Sequence, residues 1–148
     1  MYSSAADMAE RFGVVEMIRL TTPSGTALLD APDPVMITRA LTEASAVIDS
    51  YLRRRYLTPV TAAAPEITRA AAILARFDLM LGDDRQPSEQ ATAARKDVLE
   101  WLRGIRDGQV LLDLDLVPSA EESQAVVSTR EPAFAAGARW ASGWGGVG

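Results

Sequence analysis

Residues 33–60, DPVMITRALTEASAVIDSYLRRRYLTPV, constrain the fold more than any other stretch. Asp33 is a favoured helix N-cap, and Pro34 occupies the first helical position, where its missing N–H costs nothing. Ile37, Leu41, Ala44, Ile48 and Tyr51 or Leu52 recur at steps of three or four, which is one apolar stripe of an α-helix. Asp49 and Arg53 stand at i,i+4 in the better orientation, an expected pair of ~0.3 kcal/mol. The helix should end in Arg53-Arg54-Arg55, before Pro59, which biases Thr58 away from helical geometry. A chain organised around such a helix must supply other helices to cover the stripe.

It does so. Ser4 with Asp7 resembles a capping box and predicts a short helix over about 5–12, closed by Gly13. VVEMIRL, residues 14–20, is too short for its periodicity to choose between helix and strand. TTPSG and DAPDP interrupt regular structure. A second long helix is expected over about 65–81, with Gly82 as its stop. Ile67, Ala70, Ala71, Leu74, Phe77 and Leu81 lie on one face, and Ile73 and Met80 widen it. So broad an apolar arc marks a helix with several neighbours. Ser88 caps a third, over about 89–107, with Ala91, Ala94, Val98, Leu102 and Ile105 inward and Gly108 at its end. Three long amphipathic helices plus a short N-terminal one make an all-α bundle over residues 1–107. From 108 to 148 the helical period is lost. Leu112, Leu114 and Leu116 alternate with Asp113 and Asp115, an extended pattern, and QAVVST has strand character. An extended C-terminal arm is expected there.

Inventory excludes much chemistry. Cysteine and histidine are both absent. Disulfides, zinc sites built on them, Cys–His pairs and Ser–His–Asp triads are therefore ruled out. The N-terminal residues lack a basic n-region with an apolar core, and no apolar run approaches ~20 residues, so neither a signal peptide nor a membrane span is expected. At 148 residues and a net charge of −5, an intracellular, soluble domain is the expectation, and broad nucleic-acid binding is disfavoured. Asp113-Leu-Asp115 fails as a calcium loop, because Pro118 and Gln124 fall where Gly and Glu are needed. Residues 143–148 match G-x-G-x-x-G literally, but no helix N-terminus follows to hold a pyrophosphate. No P-loop occurs. No catalytic, cofactor-binding or metal-ligating residues are assigned, and no enzyme is expected.

Two features suit partners. Arg53, Arg54 and Arg55 complement a helix dipole, or they meet the acidic surface or phosphate groups of a partner, such as Asp83 and Asp84 of a neighbouring copy. Phe134, Trp140 and Trp144 in the arm either fold back on the bundle or anchor in another subunit.

Several local words resemble a known family. The opening Tyr2 with a short helix ending in Arg11-Phe12-Gly13 is one. ASAVIDSYLRRRYLTP is a second, the ILARFDL run a third and VVSTREPAF a fourth. In this order they resemble the small head–tail adaptor (connector) proteins of Mu-like tailed phages. The family often has Arg-Tyr-Pro-Leu-Pro where this chain has Arg55-Tyr56-Leu57-Thr58-Pro59, a mild departure that touches the local turn. The resemblance implies a structural virion protein of the phage neck. Such proteins form a ring, typically dodecameric, beneath the portal protein. They meet neighbouring copies of themselves and a stopper or tail-completion protein, and genome DNA passes through the lumen without specific binding. The alternative is a small helical nucleic-acid-binding or regulatory protein that uses Arg53 to Arg55.

Overall fold

A computed structural model describes residues 1–82 and 84–118. Five helices follow in chain order: α1 (Ala5–Phe12), α2 (Val14–Thr21), α3 (Pro34–Leu52), α4 (Pro65–Met80) and α5 (Glu89–Arg106). The all-α expectation is met. Residues Met1–Leu116 form one compact unit, and of the second, Val117–Gly148, only Val117 and Pro118 are described. The QAVVST stretch and the arm's aromatic residues lie outside the described residues.

The caps read from sequence are present. Ser4 Oγ accepts the Asp7 N–H at 3.1 Å, and the Asp7 carboxylate accepts the Ser4 N–H at 2.8 Å, a closed capping box. The Ser4 hydroxyl, which donates to the Asp7 carboxylate at 2.7 Å, and the Ser4 N–H hold the Asp7 carboxyl below the usual carboxylate range. Asp33 accepts from the Val35 N–H at 2.8 Å, and Ser88 Oγ from the Ala91 N–H at 3.2 Å.

The segment at 14–20 is helical. Gly13, at φ 92°, turns the chain between α1 and α2, a conformation that favours glycine. A helix of eight residues is marginal alone, so α2 must be held from outside. Met17 and Thr21 are buried. Glu16 forms a 2.7 Å ion pair with Arg76 of α4, whose guanidinium also lies 4.6 Å from the centroid of the Phe12 ring. Arg85, beyond α4, donates to the carbonyls of Arg19, Leu20 and Thr22 and closes the helix's C-terminal end. Thr21 Oγ1 accepts the Asp33 N–H at 3.0 Å, which fixes the start of α3.

Helices α3, α4 and α5 form the main bundle, with α3 against α4 as its most extensive contact. The α3 stripe is as expected: Ile37, Leu41, Ala44, Ile48 and Leu52 are buried, joined by Ala40 and Ser45. The inner face of α4 differs from expectation at its end. The helix stops at Met80, so Leu81 swings out to 56% exposure and Leu79 takes the buried place. The expected Asp49–Arg53 ion pair is absent among the described residues. Asp49 instead accepts the Tyr2 hydroxyl.

Tyr2 pins the first residues to the bundle. Its N–H donates to Ser45 Oγ at 3.0 Å, and its hydroxyl accepts the Val60 N–H at 2.9 Å while donating to Asp49. Burial, reinforced by the bond to Asp49, pushes this phenol up to about 12.

Candidate functional site

The triple arginine lies on a turn, not on the helix that precedes it. The N–H groups of Arg55 and Tyr56 both return to the Leu52 carbonyl at 2.9 Å, which ends α3 at Leu52. The cause is Tyr56. It is 1% exposed, so the chain must turn inward immediately after the arginines to bury it. Arg53 and Arg54 are left exposed, and Arg55 is half-buried.

Tyr56 then gathers the segment that follows α5. Its hydroxyl accepts the Leu112 N–H at 2.9 Å. Its backbone forms an antiparallel bridge with Leu116, and the Leu57 N–H donates to the Asp115 carbonyl at 2.9 Å. At the head of this segment Gly108 has φ 80°, and the Arg55 guanidinium fills the space beside it. A Cβ there would sit 1.9 Å from Arg55 Nη1. Two features thus require glycine at 108: the left-handed turn that ends α5, and the close approach of an arginine.

The resulting seam joins the C-terminal ends of α3 and α5. The period of two read in residues 112–116 holds from Leu112 to Asp115 and extends back to Val110. Val110, Leu112 and Leu114 pack against the core, while Leu111, Asp113 and Asp115 face outward. At Leu116 the alternation fails, and that side chain is exposed. Leu57 at 52%, Leu111 at 71% and Leu116 at 60% are the exposed leucines of the seam. A shallow cleft of about 310 Å³ between Leu57–Ala62 and Asp113–Asp115 runs beside them.

Arginines from α5 enlarge the basic end. Arg103 and Arg106 lie in its last turn. Arg106 grips Asp107 with two bonds of 2.9 and 3.2 Å. Arg106, with a further contribution from Arg54, holds the Asp107 carboxyl below the usual carboxylate range. The Arg55 guanidinium beside Gly108 places the α3 turn against the α5 end.

Of the residues singled out from sequence, the turn of Arg53, Arg54 and Arg55 is thus brought beside the end of α5, whose last turn holds Arg103 and Arg106, which sequence reading missed. Phe134, Trp140 and Trp144 lie outside the described residues, as does Asp83. Sequence reading also missed Tyr2, Tyr56 and Arg85 as organisers. Both tyrosines sat inside the family-like words, but their partners lie 43 to 58 residues away. Among the described residues no cluster of Asp and Glu is placed to hold a metal ion, and no helix is long and apolar enough to cross a membrane.

Comparison with known proteins agrees with the local words. Residues 2–130 match the family model described as "Bacteriophage Mu, Gp36". The chain is also similar to "Gene product J" of Escherichia phage Mu, 33% identical over 108 residues that make up 73% of each chain. The matched span takes in α1 to α5, the arginine turn and the seam, so the chain belongs to the Bacteriophage Mu Gp36 family of phage proteins.

Proposed function

We propose that this protein is a structural component of the virion neck, a head–tail adaptor that assembles as a ring beneath the portal and passes the capsid's load to the tail. Its partners are the portal protein, a stopper or tail-completion protein and neighbouring copies of itself, and genome DNA passes through the lumen. The role is architectural, with no catalytic step.

The observation that carries this reading is the seam between α3 and α5. Membership in a phage family supplies the context, and the seam supplies a surface suited to proteins. Leu57, Leu111 and Leu116 are large apolar side chains held outward on backbone that Tyr56 has fixed in place. Protein interfaces combine an apolar centre with a polar rim, and Asp113 and Asp115 stand exposed between Leu111 and Leu116. Fixed backbone lowers the ordering cost of docking.

The test is assembly. The purified chain, mixed with the portal protein encoded by the same phage, should yield a ring complex in negative-stain electron microscopy. Leu111→Asp combined with Leu116→Asp should abolish it while the helical circular dichroism is retained. Two folded partners that fail to associate at tens of micromolar would remove the adaptor reading.

A further inference from the structure

We propose that Arg53, Arg54, Arg103 and Arg106, gathered at the C-terminal ends of α3 and α5, form a contact surface for the phosphate backbone of double-stranded DNA. This goes beyond the adaptor role and does not depend on it.

The first argument is charge. Residues 53–55 and 103–107 hold five arginines and one acid, Asp107, a net of +4. The whole chain carries −5, so the remainder carries −9. The two windows thus carry net positive charge in an otherwise acidic chain.

The second argument is that the fold commits only one of these four guanidinium groups, that of Arg106. Basic residues near a helix C-terminus often serve it by capping carbonyls. Here the backbone does part of that. The carbonyls of Asp49 and Leu52 accept from Arg53, Arg55 and Tyr56, and those of Arg103, Gly104 and Ile105 accept from residues 107–110. Among the described residues none of the four arginine side chains donates to a carbonyl. Arg85 shows the contrast, with its guanidinium bonded to the carbonyls of Arg19, Leu20 and Thr22 at the end of α2. Among the described residues Arg53 and Arg103 have no carboxylate within 4.0 Å, and only Arg106 is committed, to the adjacent Asp107. A helix dipole accounts for a charge or two at a helix end, not for open donors on both.

The third argument separates phosphate from an acidic protein. Between 53 and 56 and between 103 and 110 no large apolar side chain is exposed; the exposed leucines begin at Leu57 and Leu111. The arginine end offers forked donors without an apolar centre. That is the make-up of a surface for the sugar–phosphate chain, which supplies closely spaced anions and asks for no apolar burial. Such contacts are independent of DNA sequence.

The test is the salt dependence of binding to a labelled 30-base-pair duplex, followed by fluorescence anisotropy with the full-length protein. Four phosphate contacts predict a loss of affinity of about 150-fold between 50 and 200 mM NaCl. Arg53→Ala with Arg54→Ala should leave about a 12-fold loss, and Arg103→Ala alone about a 40-fold loss, since each contact removed lowers the slope by about one. Arg53→Lys with Arg54→Lys should restore most of the slope, which separates charge from folding. A second duplex of unrelated sequence should bind equally. No binding at 50 mM NaCl overturns the proposal. So does a slope unchanged in the alanine variants, or one unchanged in Arg103→Ala alone. Competition by poly-glutamate as effective as by DNA at equal charge would overturn it in favour of an acidic protein surface.

Discussion

Replacing Tyr2 by Phe tests how the first residues are fastened. The phenol is 6% exposed and its oxygen serves two long-range bonds, to the Asp49 carboxylate and from the Val60 N–H. The ring would remain, so packing is preserved and only the two bonds are lost. Both partners are half-buried and regain some water, which places the cost at about 1–2 kcal/mol near neutral pH, the lower part of the range for bonds involving a charged group. For a chain of this size that lowers Tm by roughly 3–6 °C. The same bonds predict a pH signature. The phenol titrates near 10 when unfolded and at about 12 in the fold. Its contribution is therefore complete below pH 10 and is lost as pH rises towards 12. By pH 11 the loss amounts to ~1.4 kcal/mol, the linkage value for a shift of this size. Urea unfolding at pH 8 and pH 11 measures it. The wild-type protein should lose this increment over and above whatever Tyr2→Phe loses. Parallel losses in the two proteins would refute the reasoning, and an unchanged midpoint at pH 8 would show that the two bonds contribute nothing.

Tyr56→Phe leaves the buried ring in place but removes the acceptor of the Leu112 N–H. We expect a cost of about 1–2 kcal/mol in urea unfolding, and faster hydrogen exchange at the Leu112 amide than at core amides of α3. Arg85→Ala strips the C-terminal end of α2 of three side-chain bonds. Exchange at the amides of residues 18–22 should rise, with α4 and α5 unaffected, and Arg85→Lys should restore only part of the protection because an ammonium lacks the planar fork.

Helix existence was legible in the sequence wherever a cap and a long stripe coincided. Ser4, Asp33 and Ser88 each announce a helix, and α3 and α5 are long enough for periodicity to decide. Two kinds of feature were not legible. The first is short structure stabilised from afar. Eight residues of α2 carry no decisive period, and what holds them is Arg76 and Arg85, sixty or more positions later. The second is where a helix gives way to tertiary demand. Nothing local stops α3 at Leu52, since arginine is a good helix former. The stop comes from the burial of Tyr56 against a segment beyond α5. Leu81 is the same lesson reversed, an apolar residue that continued the stripe in sequence but lies past the last turn of α4. The candidate surface followed this pattern. Arg53 to Arg55 were visible as a run, whereas Arg103 and Arg106 join them only through the meeting of two helix ends.

The contact between α3 and α4 has a mechanical meaning. Ala40 and Ala44 on one helix and Ala70, Ala71, Ala72 and Ala75 on the other are all buried in the same cluster. Alanine has no rotamers to exchange, so such a contact cannot yield to shear by rearranging side chains. Such positions hand a displacement of one helix on to its neighbours instead of absorbing it.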